Sequence, residues 1–387
     1  MKRGGLATLV AGLLTVLPTA PALARAGNAS TSKRHATDAL AQAARAIRDA
    51  EAPVKWSPPG PAIAASKVKG DTVVLITNGQ NAFTETVGGG MVQAGKAAGL
   101  HVVTDYTTGT LSEADTGIGN AISTGAKAIA IMSFESSALQ APLAQAAKHG
   151  IKIIQIGEHG AGPLTKADVA AGVVGNVASC YACAGNIMAD FVAVDSHGKG
   201  HVLFLNAPDV GDANIEAAAF AHQLHSVCPG CALKTDQIPI PDWSSQLPSA
   251  VSSALVADSH LDYIVPVFDI MYTIFSSAIG ASGATNRVKL VSYNASLAEM
   301  KLLKSGAKPT WVADGGYNEL QLGWAVIDQI LRALVGAPPI RGNVVENRFF
   351  TPSMAKRLDL ASEDVQDSWY GKPTYRAGFL KLWGLKG

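Results

Sequence analysis

Short apolar runs recur along this chain at a near-regular step. "TVVLIT" starts at Thr72, "HVVTDY" at His101, "KAIAIM" at Lys127 and "IKIIQI" at Ile151. A second set, "HVLFLN", "ALKTDQI", "DYIVPVF" and "KLVSYN", starts at His201, Ala232, Asp262 and Lys289. Ala-rich stretches with helical spacing separate the runs, such as "ALQAPLAQAAKHG", which closes on a Gly stop. Continuous apolar strands alternating with helices predict parallel sheets covered on both faces. Two blocks of four such units predict two similar α/β lobes. Ligands of open parallel sheets sit at the carboxyl ends of the strands, so function is expected in the residues just after each run.

The first such turn lies in "LITNGQNAFTETVGGGM", residues 75 to 91. A dinucleotide cradle needs G-x-G-x-x-G there, so that the backbone can approach a pyrophosphate. The turn instead reads Gly79-Gln80-Asn81-Ala82-Phe83-Thr84, without the second and third glycines. Gly88, Gly89 and Gly90 fall inside the following helix, where missing side chains let it sit close to the sheet. Asp105, which ends the second run, mimics a ribose-binding acid, but no G-K-[ST] motif appears either. Asn81 and Phe83 suit a different role. An amide bonds hydroxyls both ways, and an aromatic stacks on the apolar face of a sugar. The residues alone leave a plainer reading open, in which Phe83 caps the core and Asn81 caps the helix.

The chain has 387 residues, 48% of them hydrophobic, enough for two ordinary domains. A net charge of +1 and 16% charged residues imply no polyanionic partner and no nucleic acid. Lys2 and Arg3 precede an apolar stretch from Leu6 to Leu17 that is too short to span a bilayer, and Ala22-Leu23-Ala24 follows. This predicts a secretory signal, residues 1–24, cut after Ala24, and a soluble periplasmic or secreted protein. No Cys follows the apolar run, so no lipid anchor is expected. Residues 25–69 read as a Pro/Ala-rich linker with a short amphipathic helix from Asp38 to Ala50, and the folded part is expected to begin near Gly70.

"DTVVLITNGQNAFTETVGGGMVQAGKAAG" resembles the opening strand, Asn-aromatic turn and first helix of periplasmic solute-binding proteins of the ribose-binding type. That is the type I family, which supplies the substrate-binding component of ATP-driven (ABC) importers. "HGIKIIQIG", "GHVLFLNAPDVGDANIEAAAFAHQL", "LDYIVPVFDIM" and "VKLVSYNA" match its later strand ends in order, so the resemblance covers about residues 70 to 350. It implies two Rossmann-like α/β lobes with parallel sheets, joined by a three-crossing hinge. Residues 70–178 plus 315–346 would form one lobe, and 179–314 plus 347–387 the other. It further implies closure around a small ligand, a membrane permease as partner and a monomer.

Carried over position by position, the resemblance implies a site. Asn81 and Phe83 stand at the first-strand turn, Ser133 after the third strand and Glu158 after the fourth. Glu216 lies early in the helix after "HVLFLNAPDVGD", and Trp243 falls near an aromatic that stacks on the ligand. Phe268 and Asp269 end their strand, Tyr293 and Asn294 match an aromatic-acid pair, and Asp314 falls at a hinge position. Three positions depart from the pattern. Glu158 and Glu216 stand where sugar binders commonly place Arg, and Asn294 replaces the usual Asp. Buried like charges are costly or shift their pKa. The ligand is therefore expected to be a neutral sugar or polyol or to carry an amine, unless some of these acids point to solvent. A carboxylate or phosphate ligand is disfavoured.

Four cysteines form Cys180-Tyr-Ala-Cys183 and Cys228-Pro-Gly-Cys231. A zinc site would need all four to converge. In the implied fold they lie at opposite edges of one lobe, so two local disulfides of an oxidising compartment are expected instead. A thioredoxin-like pair at Cys180 and Cys183 keeps an exported thiol-disulfide oxidoreductase open as the alternative function. A ligand-sensing subunit of a membrane receptor is a further reading that uses the same cleft. His222 and His225, three apart on a helix, are expected on a solvated face. No nucleophile elbow, H-E-x-x-H or paired-carboxylate motif appears, so no enzyme, cofactor or metal is expected. The aromatic C-terminal stretch around Trp369, Tyr370, Tyr375, Phe379 and Trp383 is expected to pack on the second lobe.

Overall fold

The structure, a computed structural model, describes residues 23–160, 162–362 and 365–385, with side chains described from Thr37 onward. The basic and apolar parts of the expected secretory signal lie outside the described residues. Among the described residues no helix is long and apolar enough to cross a membrane.

The eight apolar runs are strands that begin at the expected residue or the next one. They are β1 (Thr72–Asn78), β2 (His101–Thr107), β3 (Ala128–Met132) and β4 (Lys152–Ile156), then β6 (His201–Asn206), β7 (Ala232–Gln237), β8 (Tyr263–Pro266) and β9 (Lys289–Tyr293). Four further strands complete the sheets: β5 (Val173–Ser179), β10 (Thr310–Tyr317), β11 (Val344–Val345) and β12 (Asn347–Phe350). Helices precede and connect them: α1 (Leu23–Ala50), α2 (Ala82–Ala98), α3 (Leu111–Ser123), α4 (Gln140–Lys148), α5 (Lys166–Ala171), α6 (Tyr181–Asp195) and α7 (Gly211–Val227). After these come α8 (Trp243–Ala257), α9 (Met271–Ala281), α10 (Leu297–Ser305), α11 (Glu319–Val335), α12 (Pro352–Ala355), α13 (Asp367–Tyr370) and α14 (Tyr375–Leu382).

The first sheet has the order β11-β5-β4-β3-β1-β2 and is parallel throughout. The second has the order β12-β10-β9-β8-β6-β7, parallel except where β12 runs against β10. Central strands are buried on both faces. Val73 and Leu75 of β1 pack with Val87 and Met91 of α2, whereas Val74 and Ile76 pack with Ala114 and Ile118 of α3. The edge strands β2 and β7 are more exposed than the central ones and correspondingly richer in polar residues. The glycines of α2 divide their work. A Cβ on Gly88 would stand 3.4 Å from Leu75 on the sheet, but one on Gly90 would stand 2.4 Å from Leu320 O on α11. Gly90 therefore permits a close crossing of two helices rather than an approach to the sheet.

The chain passes between the lobes at β5–α6, β10–α11 and β11–β12. Side chains tie these crossings together. Tyr293 OH donates to Asn347 Oδ1 at 2.7 Å and lies 3.1 Å from Ser179 Oγ. Asn347 Nδ2 donates to Cys180 O at 2.8 Å, and Ser179 Oγ to Val345 O at 3.0 Å.

Two expectations about the chain ends need correction. Residues 37–69 are not a free linker. Ala43 and Ile47 of α1 are buried, and α1 packs on α6 in the second lobe. The chain then runs to the first lobe, where Trp56 meets Phe379 at 5.3 Å and Arg332 Nη2 donates to Pro61 O at 2.9 Å. The C-terminal aromatics do not all stay on the second lobe. Tyr370 meets Phe350 of the second sheet at 5.5 Å, but Trp383 stacks on Trp324 of α11 in the first lobe, 5.6 Å apart and 9° from parallel. The two end segments run side by side: Val54 N–H donates to Tyr370 O at 2.7 Å and Ile63 N–H to Leu382 O at 2.8 Å. The physical reason is burial. Trp369, Tyr375, Phe379 and Trp383 are almost fully buried, and the apolar face of α11 that receives the last of them is shared with the end of the N-terminal segment.

Candidate functional site

The carboxyl ends of the two sheets meet across the lobe boundary. Glu158 follows β4 in the first lobe, and Gly211 begins α7 in the second. The Gly211 N–H donates to Glu158 Oε2 at 3.2 Å. A Cβ on Gly211 would stand 2.4 Å from Glu158 O and 2.7 Å from Glu135 Oε1. One on Gly157 would stand 3.3 Å from the Tyr181 hydroxyl and 3.9 Å from Asp212 Oδ2. The boundary is thus closed here by direct contact between main chain and carboxyls.

Behind this contact lies a chain of hydroxyls and acids. Tyr317, Tyr181 and Asp212 lie next to one another in turn, near enough for each to bias the ionisation of the next. Burial pushes the Asp212 carboxyl up to about 6, although the Tyr181 hydroxyl and the amides of the first turn of α7 pull the other way. Burial also raises Glu158 well above the usual carboxylate range, with Asp212 and Glu135 adding like-charge repulsion. Glu216 is raised well above that range by burial and then by Asp212. Asp212 Oδ1 and Glu216 Oε1 are buried without a hydrogen-bond partner among the described residues.

Of the residues expected from sequence, four gather here. Phe83 stands edge-on to Tyr317 at 6.5 Å, Tyr293 lies 5.9 Å from the same ring, and Glu158 and Glu216 flank Asp212. Tyr293 is almost fully buried, and its hydroxyl is bonded at the hinge. Asn81 is the N-cap of α2: its side chain accepts from Thr84 N at 3.1 Å, and the Thr84 hydroxyl accepts in return from the Asn81 N–H. Ser133 follows β3 in the left-handed region at φ 59°, and Asn294 follows β9 at φ 118°, with its Oδ1 buried and unpartnered among the described residues. Non-Gly residues in such conformations cost free energy and cluster at functional sites.

Trp243 begins α8 rather than lying in a loop. Its Nε1 donates to Ile238 O at 3.0 Å, and its ring lies 6.5 Å from Phe268. Asp269 and Asp314 form a separate group with Glu299. Asp269 accepts from the Ser296 amide at 2.7 Å and hydroxyl at 2.9 Å, and burial together with Glu299 raises it well above the usual range. Among the described residues neither carboxyl oxygen of Asp314 has a hydrogen-bond partner within normal geometry, though the Ala295 and Gly315 amides lie near enough to favour its charged form slightly.

The residues that sequence reasoning passed over are Tyr181, Asp212, Tyr317 and Glu135. Asp212 had a signal: it stands four residues before Glu216, so both carboxyls project from one face of α7. Tyr181 was hidden between two cysteines that drew the reading to themselves. Both expected disulfides are present, Cys180–Cys183 at the start of α6 and Cys228–Cys231 after α7. Among the described residues no group of three or more His, Cys, Asp or Glu could hold a metal ion. His222 and His225 are exposed on α7.

A cavity of about 680 Å³ lies elsewhere, behind the hinge between α1 and α6. Its central charged groups are already engaged: Asp190 accepts from Gln223 at 2.7 Å, and Arg348 Nε donates to Glu51 O at 3.0 Å. Asp212 and Glu216 carry their unpartnered oxygens at the lobe boundary, where residues of both lobes meet, and that boundary is the candidate site.

Residues 72–338 match a family model described as a periplasmic binding protein domain. Among solved structures, the chain is similar to an ABC transporter solute binding protein from Agrobacterium vitis with bound allitol. That match has 18% identity, a TM-score of 0.65, and covers 75% of this chain and 98% of that one. It is similar to a periplasmic solute binding protein of an ABC transporter from Actinobacillus succinogenes with bound D-allose, at 17% identity and TM-score 0.66, covering 74% and 100%. It is also similar to a 5-methylthioribose transporter solute binding protein from Thermotoga lettingae in complex with 5-methylthioribose, at 15% identity and TM-score 0.67, covering 82% and 99%. No curated protein sequence matches the chain. At these identities the likeness is one of fold.

Proposed function

The chain belongs to the periplasmic binding protein family, and from that membership we propose that it captures a small polar solute, a sugar, polyol or related molecule, between its lobes and delivers it to an ABC-type permease. The observation that carries this reading is the meeting of the two sheets at their carboxyl ends, where Glu158 of one lobe accepts from Gly211 of the other. Around that contact stand Phe83, an apolar ring suited to the C–H face of a sugar, and Asp212 and Glu216, whose unpartnered oxygens suit hydroxyl donors. The ligands bound in the similar solved structures, allitol, D-allose and 5-methylthioribose, support this class of solute. Capture is a binding event and requires no catalytic group. Closure is a hinge motion favoured by contacts that the solute makes with both lobes at once.

A thermal-shift screen of sugars, polyols, amines and amino acids tests this, because a ligand that binds the native state raises its melting temperature. At least one sugar, polyol or amine-bearing relative is expected to do so, and the shift is expected to fall when Glu158 is replaced by Gln. A screen in which only amino acids or anionic compounds act, or none at all, contradicts the reading.

A further inference from the structure

Taking the lobe boundary as the solute site, and resting on that reading, we infer that the solute carries a protonated amine as well as hydroxyls. Glu158, Asp212 and Glu216 form one buried group, with Glu135 and Asp209 acting on it from beside. The ion pairs of the described residues bring this group a single base: His159, 3.5 Å from Glu135 and 3.3 Å from Asp168. No ion pair among the described residues joins Lys or Arg to Glu158, Asp212 or Glu216.

The hydrogen-bonding inventory points the same way. Asp212 Oδ1 and the Oε1 of Glu216, a residue only 1% exposed, are buried and unpartnered. The Asn206 and Asn294 amides also present buried unpartnered oxygens, but an amide can turn end for end, so the inference rests on the carboxylates. Burial favours the neutral form of these acids until a cation arrives. A solute hydroxyl offers a carboxyl one donor and no charge, whereas an ammonium offers three donors and a positive charge that lets the carboxyl beside it ionise. Hydrogen bonds between ionised partners are roughly twice as strong as neutral ones. A neutral polyol would supply hydrogen bonds to these acids but no compensating charge, and a carboxylate or phosphate would add like charge.

Calorimetric titration of the wild-type protein with matched pairs decides it: D-glucosamine against D-glucose, D-galactosamine against D-galactose, 1-amino-1-deoxy-D-sorbitol against D-sorbitol, with D-gluconate as the anionic member. In every pair with measurable binding, the amine should bind about tenfold or more tightly than its neutral partner. That preference should shrink in Asp212→Asn and in Glu216→Gln, while the wild-type comparison stands whether or not those variants fold. A neutral member that binds as tightly as its amine, or gluconate binding best, overturns the amine while leaving solute capture intact. No binding by any member of any pair counts against both.

Discussion

Gly211 N–H and Glu158 Oε2 lie 3.2 Å apart, and they belong to different lobes. A lobe-2 helix start thus donates to a lobe-1 carboxyl, and the space for a side chain between them is absent. Replacing Gly211 by Ala places a methyl 2.4 Å from Glu158 O in this closed arrangement, a clash that parting of the lobes would relieve. Solute affinity is expected to fall about tenfold or more, because the closed state alone suffers the clash. Calorimetry gives the affinity, and X-ray scattering should show a larger radius of gyration that the solute no longer reduces.

Stability should fall as pH rises above the acid range. Asp212 is pushed from 3.8 up to about 6, and Glu158, Glu216, Asp269 and Asp314 are raised as well. A carboxyl with a raised folded pKa contributes fully while both states are protonated. The unfolded chain releases its proton first, so that contribution is lost between pH 3.8 and about 6 for Asp212, and the other four act in the same sense. Thermal melts should therefore give a higher midpoint at pH 5 than at pH 8. Asp314→Asn, which keeps the shape and removes the charge, should flatten that dependence. A midpoint that climbs from pH 5 to pH 8 would show that these acids are ionised and paired in the native protein.

Trp383 is fully buried, stacks on Trp324 and donates from Nε1 to Asp328 Oδ1 at 2.8 Å. Trp383→Ala is expected to cost about 3–5 kcal/mol in a denaturant titration, as a large core truncation does. Asp328 keeps its other partner, Arg332 at 2.8 Å, so the loss should be one of packing more than of charge. A loss under about 1 kcal/mol would mean that the C-terminal segment is an ornament to α11 rather than part of its core.

The Cys180–Cys183 bridge closes a short loop, and Cys183 is exposed. Such a loop removes little chain entropy, so Cys180→Ser with Cys183→Ser should cost about 2 kcal/mol or less. Solute binding should survive. Loss of a thiol-exchange activity with binding unaffected would instead favour the oxidoreductase alternative.

What the sequence disclosed and what it hid follow from reach. The eight apolar runs were legible because a strand buried on both faces must be apolar at every position. β5 and β10 were not: Gly175 and Asn176 interrupt one, and Asp314, Gly315 and Gly316 the other, because these strands approach the hinge. Phe83, Glu158, Glu216 and Tyr293 were placed by resemblance, and the fold does gather them. Asp269 is drawn away by bonds from Ser296, 27 residues later in the chain, which no strand-end rule anticipates. The chain ends misled for a different reason. Residues 37–69 are polar and Pro-rich enough to read as linker, yet Ala43, Ile47, Trp56 and Ile63 meet α6 and α14, partners that come more than a hundred residues later.

The central claim is that one solute engages both lobes at the boundary of Glu158 and Gly211. Hydrogen–deuterium exchange with and without the tightest-binding sugar, polyol or amine tests it most directly. The account predicts slowed exchange in two places together, residues 157–160 after β4 and residues 210–217 at the start of α7. Slowing confined to one lobe, or centred on residues 183–190 and 346–349 around the cavity behind the hinge, would contradict it.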